Sequence, residues 1–150
     1  MLTAKDIMTT DPITFSADLE ISQAAIRLLE KRINGAPVVD ETGNLIGILC
    51  QSDLIATQKK LSIPSLFTLL DGYFPLRSMK HMETELEKIA ALTVSKAMTR
   101  KPVTISPDTP VEEIATLMVE KGFHTLPVLE NGRLVGIVGK EDVLKTLTSS

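Results

Sequence analysis

The sequence predicts an α+β protein made of two copies of one strand–helix–strand–strand–helix unit, with an insertion between them. Three observations carry this prediction. The same residues recur in the same order at a nearly constant separation. Each copy alternates β-branched runs of strand length with apolar residues at the helical period. Turn-forming residues fall at matching places in both copies.

The repeat is read directly. Met8-Thr9 recurs as Met98-Thr99, Pro12 and Thr14 as Pro102 and Thr104, Ser16 and Asp18 as Ser106 and Asp108, and Pro37-Val38 as Pro127-Val128, all at an offset of 90. After a one-residue slip in a turn the offset becomes 89, and Gly43, Leu45, Gly47-Ile48 and Asp53 match Gly132, Leu134, Gly136-Ile137 and Asp142.

Each element then follows in order. Ile13-Thr14-Phe15 and Val103-Thr104-Ile105 predict short strands entered after a proline. A helix follows. Its core stripe is Ile21, Ala24, Ala25, Leu28, Leu29 and Ile33 in copy one, and Val111, Ile114, Ala115, Met118 and Val119 in copy two. Thr109-Pro110-Val111-Glu112 predicts a capping box with proline at the first helical position, and Gly122 a helix stop. Ala36-Pro37-Val38-Val39 turns at Asp40-Glu41-Thr42-Gly43 into Leu45-Ile46-Gly47-Ile48-Leu49. Leu126-Pro127-Val128-Leu129 turns at Asn131-Gly132, a strong hairpin signal, into Leu134-Val135-Gly136-Ile137-Val138. A last helix is expected to begin near Ser52 and near Glu141.

Residues 55 to 93 read as belonging to neither copy. The expected organisation is repeat one at 1–60, a helical insertion at 61–93, and repeat two at 94–150. In the insertion Met82, Leu86, Ile89 and Ala90 share a helical face, which needs a partner in the repeats or in another subunit.

Composition excludes several classes of function. Hydrophobic residues make up 43% of 150, enough for a core without disulfide staples. The single cysteine, Cys50, allows no intrachain disulfide and fits a reducing compartment. A net charge of −3 with no long basic run argues against nucleic-acid binding. Aromatic residues at 3% argue against base-stacking platforms. No stretch is apolar enough for a membrane span, and Met1 to Asp6 lack the apolar segment of a secretory signal, so a cytoplasmic location is expected. His81 and His124 have no neighbours at metal-ligand spacing, so no metal site is expected.

At this point the motifs are recognisable. Ala97-Met98-Thr99 with Pro102, the Pro-Val strand, the Gly-Ile strand and the terminal aspartate make each copy resemble a CBS repeat, named for the regulatory region of cystathionine β-synthase. The resemblance covers both copies and not the insertion. It implies two repeats packed through their sheets into one pseudo-two-fold module with two clefts between them. It also implies binding of adenosine compounds such as AMP, ADP, ATP, NAD or S-adenosylmethionine, frequent homodimerisation, and regulation of another protein without catalysis.

In such repeats an aspartate at the start of the second helix takes the ribose hydroxyls, a task that suits a carboxylate because it accepts from both hydroxyls of a cis-diol. Asp53 and Asp142 hold that position. Each could equally cap its own helix. Carried over residue by residue, cleft one would join Ser52, Asp53 and Ile48 to Val103, Thr104, Phe123, His124 and Pro127. Cleft two would join Asp142 and Ile137 to Ile13, Thr14, Ile33, Asn34 and Pro37. Family members that hold phosphates often carry Ser or Thr one and three residues before the aspartate. Ser52 keeps the nearer position and Cys50 replaces the farther, whereas copy two has Glu141 and Gly139 there. With His124 at its edge, cleft one is therefore the expected nucleotide site, and cleft two would suit an uncharged nucleoside end or stay empty.

Other signals fail. Gly136-Ile137-Val138-Gly139-Lys140 hints at a phosphate loop, but Leu134 and Glu141 stand where that motif needs glycine and Ser or Thr. Cys50 reads as a small core residue, His124 equally as a packing residue, and His81 as solvent-facing. Nothing pairs a nucleophile with a base, so no enzyme activity is expected. The second reading is a ligand-free interaction or dimerisation module.

Overall fold

One buried side chain anchors the first ladder of each repeat. Phe15 is 1% exposed and begins β1 (Phe15–Ser16), which runs parallel to β2 (Gly35–Val39) with Phe15 opposite Val38. Ile105, also buried, makes a single parallel bridge to Val128. Its N–H donates to Pro127 O at 3.0 Å, and its carbonyl accepts from Leu129 N at 2.9 Å. Pairing thus reaches only to the anchoring side chain. Ile13-Thr14 and Val103-Thr104, expected as strand, precede it unpaired. The computed structural model describes residues 1–61 and 92–148. The apolar face of Met82, Leu86, Ile89 and Ala90, the expected helical insertion over most of its length, and His81 lie outside them.

The helices follow the apolar period. α1 (Ala4–Ile7) precedes β1, and α2 (Ile21–Lys31) buries Ile21, Ala24 and Leu28. β3 (Leu45–Cys50) leads into α3 (Gln51–Leu61). After the insertion come α4 (Val94–Ala97), β4 (Thr99–Arg100) and α5 (Val111–Lys121), then β5 (Thr125–Glu130), β6 (Arg133–Gly139) and α6 (Lys140–Lys145). Leu29 and Val119, expected in the core stripe, are 70% and 83% exposed. Each stripe is wider than the face one sheet covers, so its far edge stays in solvent.

Helix ends show one success and one correction. Gly122 stops α5 in the left-handed region at φ 72°, where a residue without Cβ is unstrained. Its counterpart closing α2 is Arg32, at φ 54°. The capping box at Thr109 does not form, because α5 begins at Val111 with Pro110 as its cap residue. The Thr109 hydroxyl instead accepts the Ser106 N–H at 3.0 Å, and its carbonyl accepts from Ala4 N at 2.8 Å. The preceding loop and the chain's first turn have claimed it.

Turn chemistry sets the hairpins. Asn131 and Gly132 both take positive φ, as a tight turn of the type favoured by Asn-Gly requires. In the first hairpin the Asp40 carboxylate accepts from the Thr42 hydroxyl and from the N–H groups of Thr42 and Asn44. These bonds, the Thr42 hydroxyl first, hold its pKa below the ordinary carboxylate range.

The sheets reveal how the repeats are joined. The first has the order β1-β2-β3-β4, and β4 belongs to the second repeat's sequence. Thr99 lies opposite Ile48, antiparallel. The second sheet is β5-β6, to which Thr9 of the first repeat bridges at Ile137 through two bonds of 2.9 and 3.1 Å. Each repeat thus sends its Met-Thr segment onto the other's sheet. The cores are exchanged in the same way. Val94 and Met98 pack with Phe15, Leu28, Val38 and Leu49, while Ala4 and Met8 pack with Ile105, Ile114, Leu126 and Val128.

The exchange needs glycine at two places. A Cβ on Gly47 would lie 2.7 Å from Met98 Sδ and 2.8 Å from Thr99 O, and one on Gly136 would lie 2.7 Å from Met8 Sδ and 2.9 Å from Thr9 O. Overpacking against backbone that cannot move costs about 1–3 kcal/mol. Gly47→Ala is therefore expected to lower the urea unfolding free energy by about that much. Met98→Ala costs stability of its own, but the double variant should lose less than the two single losses added, since it removes the sulfur the new methyl meets.

Candidate functional site

The two aspartates sit third in their helices, and both cap them. Asp53 Oδ2 accepts the Cys50 N–H at 2.8 Å, and Asp142 Oδ2 accepts the Gly139 N–H at 2.8 Å. The capping bond occupies one oxygen and fixes the plane of the other. Here the sites diverge. Asp53 Oδ1 accepts the Thr99 hydroxyl from the other repeat at 3.1 Å. Asp53 therefore bridges the two repeats, whereas among the described residues Asp142 is held by its cap alone.

Cleft one opens around Asp53 with a volume of about 550 Å³, within the roughly 300–1,000 Å³ of small-molecule sites. It brings together Ile48, Ser52, Asp53, Val103, Phe123 and His124, six of the eight residues expected there. Thr104 and Pro127 are absent from its wall. Pro127 is fully buried in the centre of β5, opposite Ile137, and Thr104 lies past the point where the chain turns toward its buried anchor at Ile105. The apolar lining is Ile48, Ile55, Pro102, Val103, Phe123 and Leu126, drawn from both repeats.

Cleft two, around Asp142, has about 180 Å³. It gathers Ile33, Asn34, Ile137 and Asp142, but not Ile13, Thr14 or Pro37. Pro37 is fully buried opposite Ile48, and Ile13 packs against the first core. Thr14 lines a separate groove of about 770 Å³ on the outside of repeat one, with Asp18, Arg27, Asp40 and Glu41. That groove is larger than either cleft, but a single repeat forms it.

The sequence reading missed the cations. Lys101, Lys121 and Lys140 line cleft one with His124. The signal was present in the repeat register: Lys101 stands where copy one has Asp11, a reversal of charge at equivalent positions. Both take the left-handed conformation, at φ 53° and 51°. Cleft two is not devoid of cations either. Arg32, Lys140 and Lys145 line it beside Glu141 and Asp142.

The backbone joining these walls is continuous. Gln51 N donates to Asn34 O at 2.8 Å, and Lys140 N donates to His124 O at 3.0 Å. Among the described residues no cluster of His, Cys, Asp and Glu could hold a metal, and no helix is long and apolar enough to cross a membrane.

Comparison with known proteins decides the family. The CBS domain family matches residues 4–60 and again residues 94–149. The chain belongs to the CBS domain family. Among curated relatives of this CBS pair, the uncharacterised protein MJ1426 of Methanocaldococcus jannaschii is 34% identical over 95% of this chain and 89% of its own length. The CBS domain of a CBS domain containing membrane protein from Sphaerobacter thermophilus is 34% identical, with a TM-score of 0.71 over 97% of this chain and 87% of that one. The CBS domain pair of protein MJ0100, solved with 5′-methylthioadenosine and S-adenosyl-L-methionine, is 28% identical, with a TM-score of 0.70 over 99% of this chain and 97% of that one.

Cys50, on the wall of cleft one, is half-buried. Burial, and then the neighbouring Asp53 carboxylate, push its thiol pKa up to about 11. The thiolate is the reactive form. Iodoacetamide labelling of the folded CBS pair at pH 9 should therefore run far slower than labelling of the urea-unfolded chain. Equal rates would show that the thiol is neither buried nor opposed by Asp53.

Proposed function

We propose that this CBS pair is a regulatory sensor that binds an adenosine-containing nucleotide of the AMP, ADP or ATP class in cleft one. The observation that carries the reading is Asp53. Its carboxylate is fixed by its helix, bonded across the repeat boundary to Thr99, and placed in a cleft with apolar walls and a basic edge. That arrangement suits the three parts of a nucleotide. A ribose diol can take the place of the Thr99 hydroxyl on Oδ1. An adenine ring suits the slot between Ile48, Val103 and Phe123. A phosphate suits Ser52, His124, Lys101 and Lys140. The related MJ0100 pair, solved with two adenosine compounds, supports the ligand class, and NAD and S-adenosylmethionine remain within it.

We read the chain as a regulator without catalytic activity of its own, located in the cytoplasm and needing no cofactor. The Cys50 thiol, with its raised pKa and an acid for a neighbour, is poorly placed as a nucleophile. A ligand bound to both repeats can shift their packing only by its differential affinity for two arrangements. The regulated protein would sense that shift.

A second reading has its own observation. Leu29 and Val119 occupy equivalent positions in the repeats, as do Ile55 and Leu144, and all four are more than half exposed on the helices. Apolar residues paired in this way suit a homodimer, with the clefts serving no ligand.

Calorimetry with AMP tests the choice. Asp53→Ala removes hydrogen bonds to a charged group, worth about 1.5–3 kcal/mol, so AMP should bind roughly tenfold or more weakly. Asp142→Ala should change it little. Because Asp53 also caps α3, Asp53→Asn serves as the better-folded companion and should show the same order. Equal affinity in all variants would reject the assignment. Absence of thermal stabilisation by AMP, ADP, ATP, NAD or S-adenosylmethionine, with an unchanged dimer, would favour the interaction module.

A further inference from the structure

The two clefts are not separate rooms. Asn34, Thr125 and Lys140 line both. Of these three, Lys140 alone carries a charge. Its repeat counterpart, Gln51, is tied down, with Nε2 donating to Ile33 O at 3.0 Å. Among the described residues the Lys140 ammonium has no such tether, and the ion pair there, Lys5 with Asp108, lies elsewhere. An ammonium on a flexible four-carbon stem can therefore turn to either side of the wall, but to one side at a time.

Cleft two has the features of a small anion site. Its volume, about 180 Å³, is below the usual range for a nucleotide-sized ligand. Three cations, Arg32, Lys140 and Lys145, come from the end of α2 and from α6. Two acids face them. Asp142 has one oxygen committed to the Gly139 N–H, and Glu141 is exposed. Arg32 holds φ 54° where its twin is Gly122. A side chain in the left-handed region costs about 1–2 kcal/mol, and such strain is found where a side chain is needed in place.

We propose that cleft two binds a small tetrahedral oxyanion on Arg32, Lys140 and Lys145, and that this anion competes with the phosphate of a nucleotide in cleft one for the single ammonium of Lys140. The inference rests on the nucleotide reading of cleft one and adds its regulation. Binding in the two clefts is negatively coupled, and by linkage the effect is reciprocal. The coupling is specific to charge: a nucleoside without phosphate makes no demand on Lys140 and is unaffected.

The test is calorimetry of AMP and of adenosine, with and without millimolar inorganic phosphate, at matched ionic strength. Inorganic phosphate is expected to weaken AMP by about fivefold, at the low end of coupling between sites, and to leave adenosine unchanged. Lys145→Gln, which touches cleft two alone, should abolish the phosphate effect and keep the AMP affinity. Lys140→Gln should abolish the effect and bring AMP toward adenosine. A phosphate effect that survives in Lys145→Gln would mean direct competition inside cleft one and would overturn the proposal. So would no effect in the unaltered protein. If neither AMP nor adenosine binds, the nucleotide reading falls first and this inference with it.

Discussion

The structure depends on the exchange of two Met-Thr segments between the repeats. Met98 packs over Gly47 in the first sheet, and Met8 over Gly136 in the second, and in each case a threonine follows that pairs with the other repeat's central strand. Neither core is complete with its own sequence. The first lacks Val94 and Met98 without the second repeat, and the second lacks Ala4 and Met8 without the first. The glycines allow the close approach, and the methionines fill it with an unbranched side chain that adapts to irregular space. The clefts follow from this exchange. Thr99 reaches Asp53 because its strand is stapled to Ile48, and the apolar walls of cleft one come from both halves for the same reason.

Pseudo-symmetry then sets the places, and sequence divergence sets their chemistry. Equivalent positions carry Asp11 and Lys101, Asn34 and His124, Ser52 and Glu141, Gln51 and Lys140. The first three differences move positive charge or donor capacity toward cleft one. The fourth places a cation on the wall that the two clefts share. A duplicated unit that would otherwise give two equal clefts has one roomy cleft and one small one. Opposed acids and cations in cleft two temper its charge without closing it.

Much of the fold was legible from spacing. The repeat offset located the long helix, the hairpin and the closing helix of each copy but not the short elements at Ala4–Ile7, Val94–Ala97 and Thr99–Arg100, and Asn131-Gly132 and Gly122 behave as their backbone chemistry requires. The errors have physical sources. Leu29 and Val119 satisfy the helical period, but period alone does not say how wide a face the neighbouring sheet covers. Thr109 looked like a cap, but a local hydrogen bond from the Ser106 N–H and a tertiary one from the Ala4 N–H claimed it. The exchange of segments was invisible because local pattern carries no information about which sheet a strand joins.

The site was legible in part. Asp53 with Ser52, Ile48, Val103, Phe123 and His124 came together as the resemblance implied. Pro37 and Pro127 did not reach the clefts, since a proline central to a buried strand has no exposed face to offer. Lys101 and Lys140 were overlooked because each was read within its own copy and not against its twin. The central claim is that a ligand is held by both repeats at once, through Asp53 of the first and the basic edge of the second. A crystal structure of the protein grown with AMP tests it most directly. The account predicts ribose on Asp53 and phosphate beside His124 and Lys101. Nucleotide held by one repeat alone, for instance in the outer groove beside Thr14 and Asp40, would contradict it.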